Sequence, residues 1–200
     1  MLPEYTPDTS LCERFQEFHD RNHWVFYVPR TGSEDEEARA YGLLFEILRK
    51  QTAIMMITPA DPERYEPVYR EAIKYSLPTI RHSRLFTSKV PKNNRVYFIE
   101  EAEPVRDFYA CAGLVVPGGT LGADSTTTPD LVTPILAGKP VLVGPHRQDP
   151  TVKAAVEAGV VRAADDVEGL AEAARELLGD PEAASELATK AQAWLEQRGG

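Results

Sequence analysis

From residue 24 onward, apolar residues fall in short dense runs rich in Val, Ile and aromatics, and these runs alternate with stretches whose apolar positions recur at helical spacing. The runs at 24–28, 53–58, 78–82, 95–99, 114–116 and 141–143, followed by a short one at 160–163, predict strands. None alternates cleanly between apolar and polar, as expected of strands covered on both faces. Residues 34–50 predict a helix with Ala38, Tyr41, Phe45 and Leu48 on one stripe, and its acidic first turn suits the helix dipole. Further crossover helices are predicted at 62–75, 104–112, 128–137 and 151–158, with proline at or near the first turn of three and Gly138 as one stop. Two C-terminal helices, 167–178 and 181–197, flank Gly179-Asp180-Pro181, which reads as a stop, an N-cap and an N1 proline. Ahead of Trp24, Leu11, Phe15 and Phe18 at helical spacing predict a leading helix.

Strict alternation of strand and helix implies right-handed crossovers and a parallel sheet. The expected fold is α/β: a single Rossmann-like three-layer domain with a doubly wound parallel sheet of about six strands and C-terminal helices. Residues 1–23 form an N-terminal helical segment and residues 24–200 the domain. A chain of 200 residues suits one well-buried α/β domain. There is no internal repeat, and the only low-complexity segment is 125–128.

With 42% hydrophobic and 26% charged residues, the composition is that of an ordinary globular protein. A net charge of −9 argues against a nucleic-acid surface, which needs clustered Lys and Arg; the basic residues of 81–92 are only a local exception. Cys12 and Cys111 lie far apart and have no metal or redox spacing. They suggest structural thiols in a reducing compartment, with a disulfide between them left open. The first ten residues are polar and contain two prolines, so no signal peptide is expected. The longest apolar runs, such as 53–57, are too short to span a bilayer, which leaves peripheral membrane association at most.

Two glycine-containing turns follow predicted strands, Gly118-Gly119 and Ala137-Gly138-Lys139-Pro140-Val141-Leu142-Val143-Gly144-Pro145-His146. In an open parallel sheet they place permissive backbone on the edge where ligands bind, which points to a small and phosphorylated ligand. The hydroxyl-rich stretch from Thr120 to Thr128 can offer amides and hydroxyls to phosphate or sugar oxygens, or serve simply as a surface loop. His146 and Arg147 are a pair suited to an anion. Pro29-Arg30-Thr31-Gly32-Ser33-Glu34 reads as a plain capped turn, with an anion at the helix N-terminus as the functional alternative. His19 and His23 have the i, i+4 spacing of a zinc helix, but Asp20 replaces the required Glu and no third ligand follows, so no metal site is expected. No nucleophile triad, Walker lysine motif or Gly-x-Gly-x-x-Gly fingerprint is present.

From about residue 24 to 198 the order of elements resembles the C-terminal, nucleotide-sugar-binding domain of GT-B glycosyltransferases. Within that group it looks most like the Kdo (3-deoxy-D-manno-octulosonic acid) transferases of lipopolysaccharide synthesis. The resemblance is carried by Thr31 with Glu34 to Glu37, Asp61-Pro62-Glu63-Arg64, Ser83-Arg84, Gly118-Gly119-Thr120 and the Gly138 to His146 string. It implies a CMP-Kdo-like donor held by Thr31, Gly118, Gly119, Thr120, Thr133, Pro145, His146 and Arg147, with no metal or other cofactor. It further implies a cytoplasmic protein, at most peripheral at the inner membrane. An acceptor-binding half would come from a separate domain or from another copy of the chain.

Against the family pattern, Ala60-Asp61 stands where an Arg-His pair is usual, and Thr133 before Pro134 stands where a ribose-binding Glu is usual. The Gly-Gly-His-Asn stretch is replaced by Ser and Thr, and the N-terminal domain that supplies the catalytic base has no counterpart in residues 1–23. No catalytic residue is therefore assigned. Two readings follow. The chain is a donor-binding half that is inactive alone, or a non-catalytic binding module derived from a glycosyltransferase.

Overall fold

The computed structural model describes residues 1–84, 89–100 and 108–199. A short 3-10 turn (Ser10–Phe15) and helix α1 (Gln16–Asp20) lead into β1 (Trp24–Thr31), α2 (Glu34–Leu48), β2 (Ala53–Pro59), α3 (Tyr65–Lys74), β3 (Thr79–Arg81), β4 (Val96–Phe98) and β5 (Leu114–Val115). Then come α4 (Val132–Leu136), β6 (Leu142–Val143), α5 (Pro150–Glu157), β7 (Arg162–Ala163), α6 (Val167–Gly179) and α7 (Pro181–Gly199). Of the helix expected over 104–112, residues 104–107 lie outside the described residues, as do 85–88 of the basic stretch.

The main sheet has five strands in the order β3-β4-β2-β1-β5, one fewer than expected, and all its pairings are parallel. β6 and β7 pair separately, and a parallel bridge between Val115 and Val141 attaches them beside β5. Strand order reverses between β1 and β5, since β2 lies on one side of β1 and β5 on the other. That crevice, at the strands' carboxyl ends, is the topological switch point where open α/β sheets bind ligands.

Both faces of the sheet are apolar, for the reason the unbroken apolar runs suggested. Phe26, Val28, Met55, Ile57 and Phe98 face α2, α3 and α6, with Leu43, Leu44, Ile47, Leu170 and Leu177 packed over them. The alternate residues Val25, Tyr27, Ile54, Met56 and Tyr97 face Phe15, Phe18, Phe108 and Tyr109. The N-terminal segment thus supplies part of one covering layer. Cys12 and Cys111 are joined in a disulfide, which corrects the expectation of separate thiols.

The buried face of α2 also differs from the expected stripe. Tyr41 is buried and Leu48 partly so, but Ala38 is exposed and Phe45 is 39% exposed. The inward face runs instead through Glu36, Glu37, Ala40, Leu43, Leu44 and Ile47. Two inward carboxylates shift the helix away from the orientation its apolar pattern alone predicts.

Candidate functional site

β1 ends in a bulge. Pro29 pairs with Thr58 and Thr31 with Pro59, which leaves Arg30 between them at φ 59°. The Gly118 amide donates to the Pro29 carbonyl at 2.8 Å, and a Cβ on Gly118 would lie 2.0 Å from the Arg30 carbonyl oxygen. Only glycine allows β1 and β5 to meet this closely. Gly119 follows at φ 90°, turning the chain toward the N-terminus of α2.

At that point the amides converge on a side chain. Gly119 N donates to both oxygens of Glu36, at 2.9 and 2.8 Å. Leu121 N and Gly122 N reach Oε2 at 3.0 and 3.3 Å, while Gly32 N and Ser125 Oγ reach Oε1 at 2.8 and 2.9 Å. Ser33 caps α2 by accepting from Glu36 N at 3.1 Å. An anion cradle built from a helix N-terminus and a nest of amides is therefore filled by the chain's own carboxylate. These amides, expected to meet a donor, are directed inward. The overlooked signal was Ser33-x-x-Glu36, the spacing of a capping box.

The hydroxyl-rich loop is likewise folded onto this edge. Thr126 N and Oγ1 donate to the Gly32 carbonyl at 3.2 and 3.1 Å, and Ser33 Oγ donates to Asp124 at 2.8 Å. The helix expected from residue 128 begins only at Val132. Pro129 disfavours helical geometry at the residue before it. Thr133 is 7% exposed and directed to Asp130, its amide at 3.0 Å and its hydroxyl at 2.6 Å.

Thr120 joins the two glycine turns. Its hydroxyl donates to the Pro117 carbonyl at 2.8 Å and accepts from Gly144 N at 3.2 Å, while its carbonyl accepts from His146 N at 2.9 Å. Gly118, Gly119, Thr120, Pro145 and His146 are thereby brought to one edge, with Pro145 exposed and His146 half-buried. Thr31 lies at the same edge but is buried, and its Oγ1 has no partner among the described residues. Arg147 faces elsewhere. Its guanidinium holds the Gly144 and Ala164 carbonyls at 2.8 and 2.9 Å and Asp165 at 2.5 Å, tying the β6 turn to the β7 turn.

After β2, Asp61 caps a 3-10 turn (Pro62–Arg64) by accepting from Glu63 N at 2.9 Å. Arg64 of that turn reaches back to Glu37 at 2.5 and 3.2 Å. Burial pushes the Glu37 carboxyl above the usual range despite Arg64, and the hydrogen bond to Glu37 raises Arg64. At the end of β3, Arg81 and Ser83 both bind Glu100. His23 follows the end of α1, so it does not share that helix with His19. Among the described residues, no helix is long and apolar enough to cross a membrane.

No protein-family model matches the chain, and no curated protein matches it in sequence. Solved structures do match its fold. The C-terminal CMP-Kdo binding domain of WaaA from Acinetobacter baumannii superposes with a TM-score of 0.79 at 20% identity, covering 92% of this chain and 95% of that one. The C-terminal domain of the group 1 glycosyl transferase LpcC from Francisella tularensis gives 0.58 at 11% identity, covering 98% and 94%. HepE from Anabaena, in complex with UDP, gives 0.61 at 18% identity over 96% of this chain; the chain spans 49% of that protein's length. At these identities the likeness is one of fold: the chain is a Rossmann-like α/β domain with the architecture of the C-terminal half of GT-B glycosyltransferases.

Proposed function

We propose that the chain is the donor-binding half of a GT-B glycosyltransferase, holding a nucleotide sugar where β1, β5 and β6 end. The observation that carries this reading is the overlay of nearly the whole chain on the CMP-Kdo binding domain of WaaA, a domain of matching extent. The ordered string Gly138 to His146 and the Gly118-Gly119-Thr120 turn support a CMP-Kdo-like donor, as used in lipopolysaccharide glycosylation at the cytoplasmic face of the inner membrane. No candidate residue is placed as a catalytic base. Transfer requires donor and acceptor to be held together, so the acceptor half and the base come from another domain, a partner chain or a second copy. The isolated chain binds donor and does not turn it over.

A second reading is favoured by one observation: Glu36 and the 122–129 loop fill the amide cradle that a donor phosphate would use. In that reading the chain is an interaction module that has lost nucleotide binding. Calorimetric titration with CMP, UDP and GDP separates the two. Micromolar binding of one of them supports the donor half, and no heat with any of them leaves the interaction module.

A further inference from the structure

We infer that the cavity at the amino ends of β5 and β6 is a second small-molecule site, for a small acid whose carboxylate meets Lys139 and whose apolar body lies against Leu177 and Leu178. It lies at the opposite end of the strands from the β1–β5 crevice, and the inference stands whether or not that crevice holds a nucleotide.

The Gly138 to His146 string is divided by β6. Gly144 and His146 reach the crevice through Thr120. Lys139 is left at the other end of the strand, where it lines a cavity of 260 Å³ between residues 112–113, residues 138–140 and the junction of α6 with α7. The volume sits just under the roughly 300–1,000 Å³ usual for ligand pockets, so the occupant is small. Leu177, Leu178, Pro140 and Pro181 supply apolar walls, and Lys139 and Ser185 are the lining residues whose side chains can hydrogen-bond. Apolar walls with one or two polar groups to set orientation are the usual composition of a small-molecule site.

Lys139 is the group that calls for a counter-ion. Its backbone amide donates to the Pro134 carbonyl at 3.0 Å, but its side chain makes no hydrogen bond or ion pair among the described residues. Burial holds the ammonium below the usual lysine range. Lys139 in turn adds to the burial that lowers His19 of α1, so a second basic group stands nearby. Asp20 acts on His19 in the opposite sense, but it is exposed and accepts from Gln16 Nε2 at 2.6 Å. An ammonium withdrawn from water is expected to be paired, and a ligand carboxylate supplies the missing partner. One cation among apolar walls matches a monoanion with a hydrocarbon body better than it matches a phosphate, which needs more donors.

The test is amide NMR of the isotopically labelled chain at constant ionic strength, titrated with benzoate, with its uncharged analogue benzamide and with inorganic phosphate. Benzoate should give saturable shifts centred on Gly113, Lys139, Leu178 and Ser185, with Gly118 and His146 unmoved. Benzamide should bind at least about 10-fold more weakly, as loss of a charge-assisted hydrogen bond implies, and phosphate should leave these amides unmoved. Lys139→Met should weaken benzoate by about 10- to 100-fold without changing benzamide, while Lys139→Arg keeps most of the affinity. Removing an unpaired, partly buried ammonium should leave Tm equal or higher, so lost binding is not lost folding. Should Lys139→Met fail to fold, the comparison of benzoate with benzamide on the unaltered chain decides. Equal binding of those two, full benzoate affinity in Lys139→Met, phosphate shifting the same amides, or no benzoate shift around Lys139 would each overturn the inference and leave the donor-binding reading untouched.

Discussion

The amide of Gly119 donates to both carboxylate oxygens of Glu36, at 2.9 and 2.8 Å, across 83 residues of sequence. This contact fixes the strand β5 turn against the N-terminus of α2 and so determines how the candidate edge is shaped. Glu36 is fully buried and accepts from four amides and one hydroxyl. Glu36→Ala leaves those donors without an acceptor in the interior, and each unsatisfied buried group costs about 1–3 kcal/mol. The expected loss is at least ~3 kcal/mol, read as a lower urea midpoint with unchanged slope. A loss under ~1 kcal/mol would show that water replaces the carboxylate without penalty.

The two glycine turns differ in why they need glycine. At Gly118 an added Cβ meets the Arg30 carbonyl at 2.0 Å, whereas at Gly138, φ 71°, the nearest neighbour is Gln192 Nε2 at 3.4 Å. Gly138→Ala should cost only the left-handed penalty of about 1–2 kcal/mol. Gly118→Ala should cost more, because β1 and β5 must separate, and should disturb amide shifts on both strands. Equal losses for the two variants would contradict the close approach.

Cys12 and Cys111 should be protected from alkylation in denaturant until a reductant is added. Their separation of 99 residues makes the link a strong constraint on the unfolded chain, and Cys12→Ser should cost about 2–5 kcal/mol. Labelling of both thiols without reductant would remove the disulfide from the account.

Glu100 should make stability fall in acid. Burial pushes its carboxyl up, but the hydrogen bonds from Arg81 and Ser83 outweigh burial and hold it below the usual 4.5. A lowered folded-state value means the contribution is whole above the unfolded value and is lost as pH drops through the folded one. Glu100→Gln should therefore flatten the decline of Tm below about pH 4.5, the ordinary value for such a carboxyl. Parallel profiles for the two proteins would assign the acid sensitivity elsewhere.

Much of the fold was legible because buried parallel strands leave unbroken apolar runs, such as 53–58, and because an Asp cap followed by proline marks a helix start, as at Asp180-Pro181. What escaped was set by tertiary contacts. The orientation of α2 follows from Glu36 and Glu37 facing inward, which an apolar stripe cannot report. The disulfide joins two segments whose proximity exists only once Phe15 and Phe18 cover the sheet. In the candidate site, the edge formed by Gly118, Gly119 and His146 followed from strand ends and turns. The inward use of the amides at 119–122 and the commitment of Arg147 to Asp165 depended on partners 18 to 86 residues away.

The central claim is that a nucleotide binds where β1, β5 and β6 end. The most direct measurement is amide NMR of the isotopically labelled chain titrated with CMP and with UDP. The account predicts saturable shifts centred on Arg30, Gly118, Thr120 and His146 for at least one of them, with the far ends of the strands unmoved. Shifts centred elsewhere, or none with either nucleotide, would contradict it.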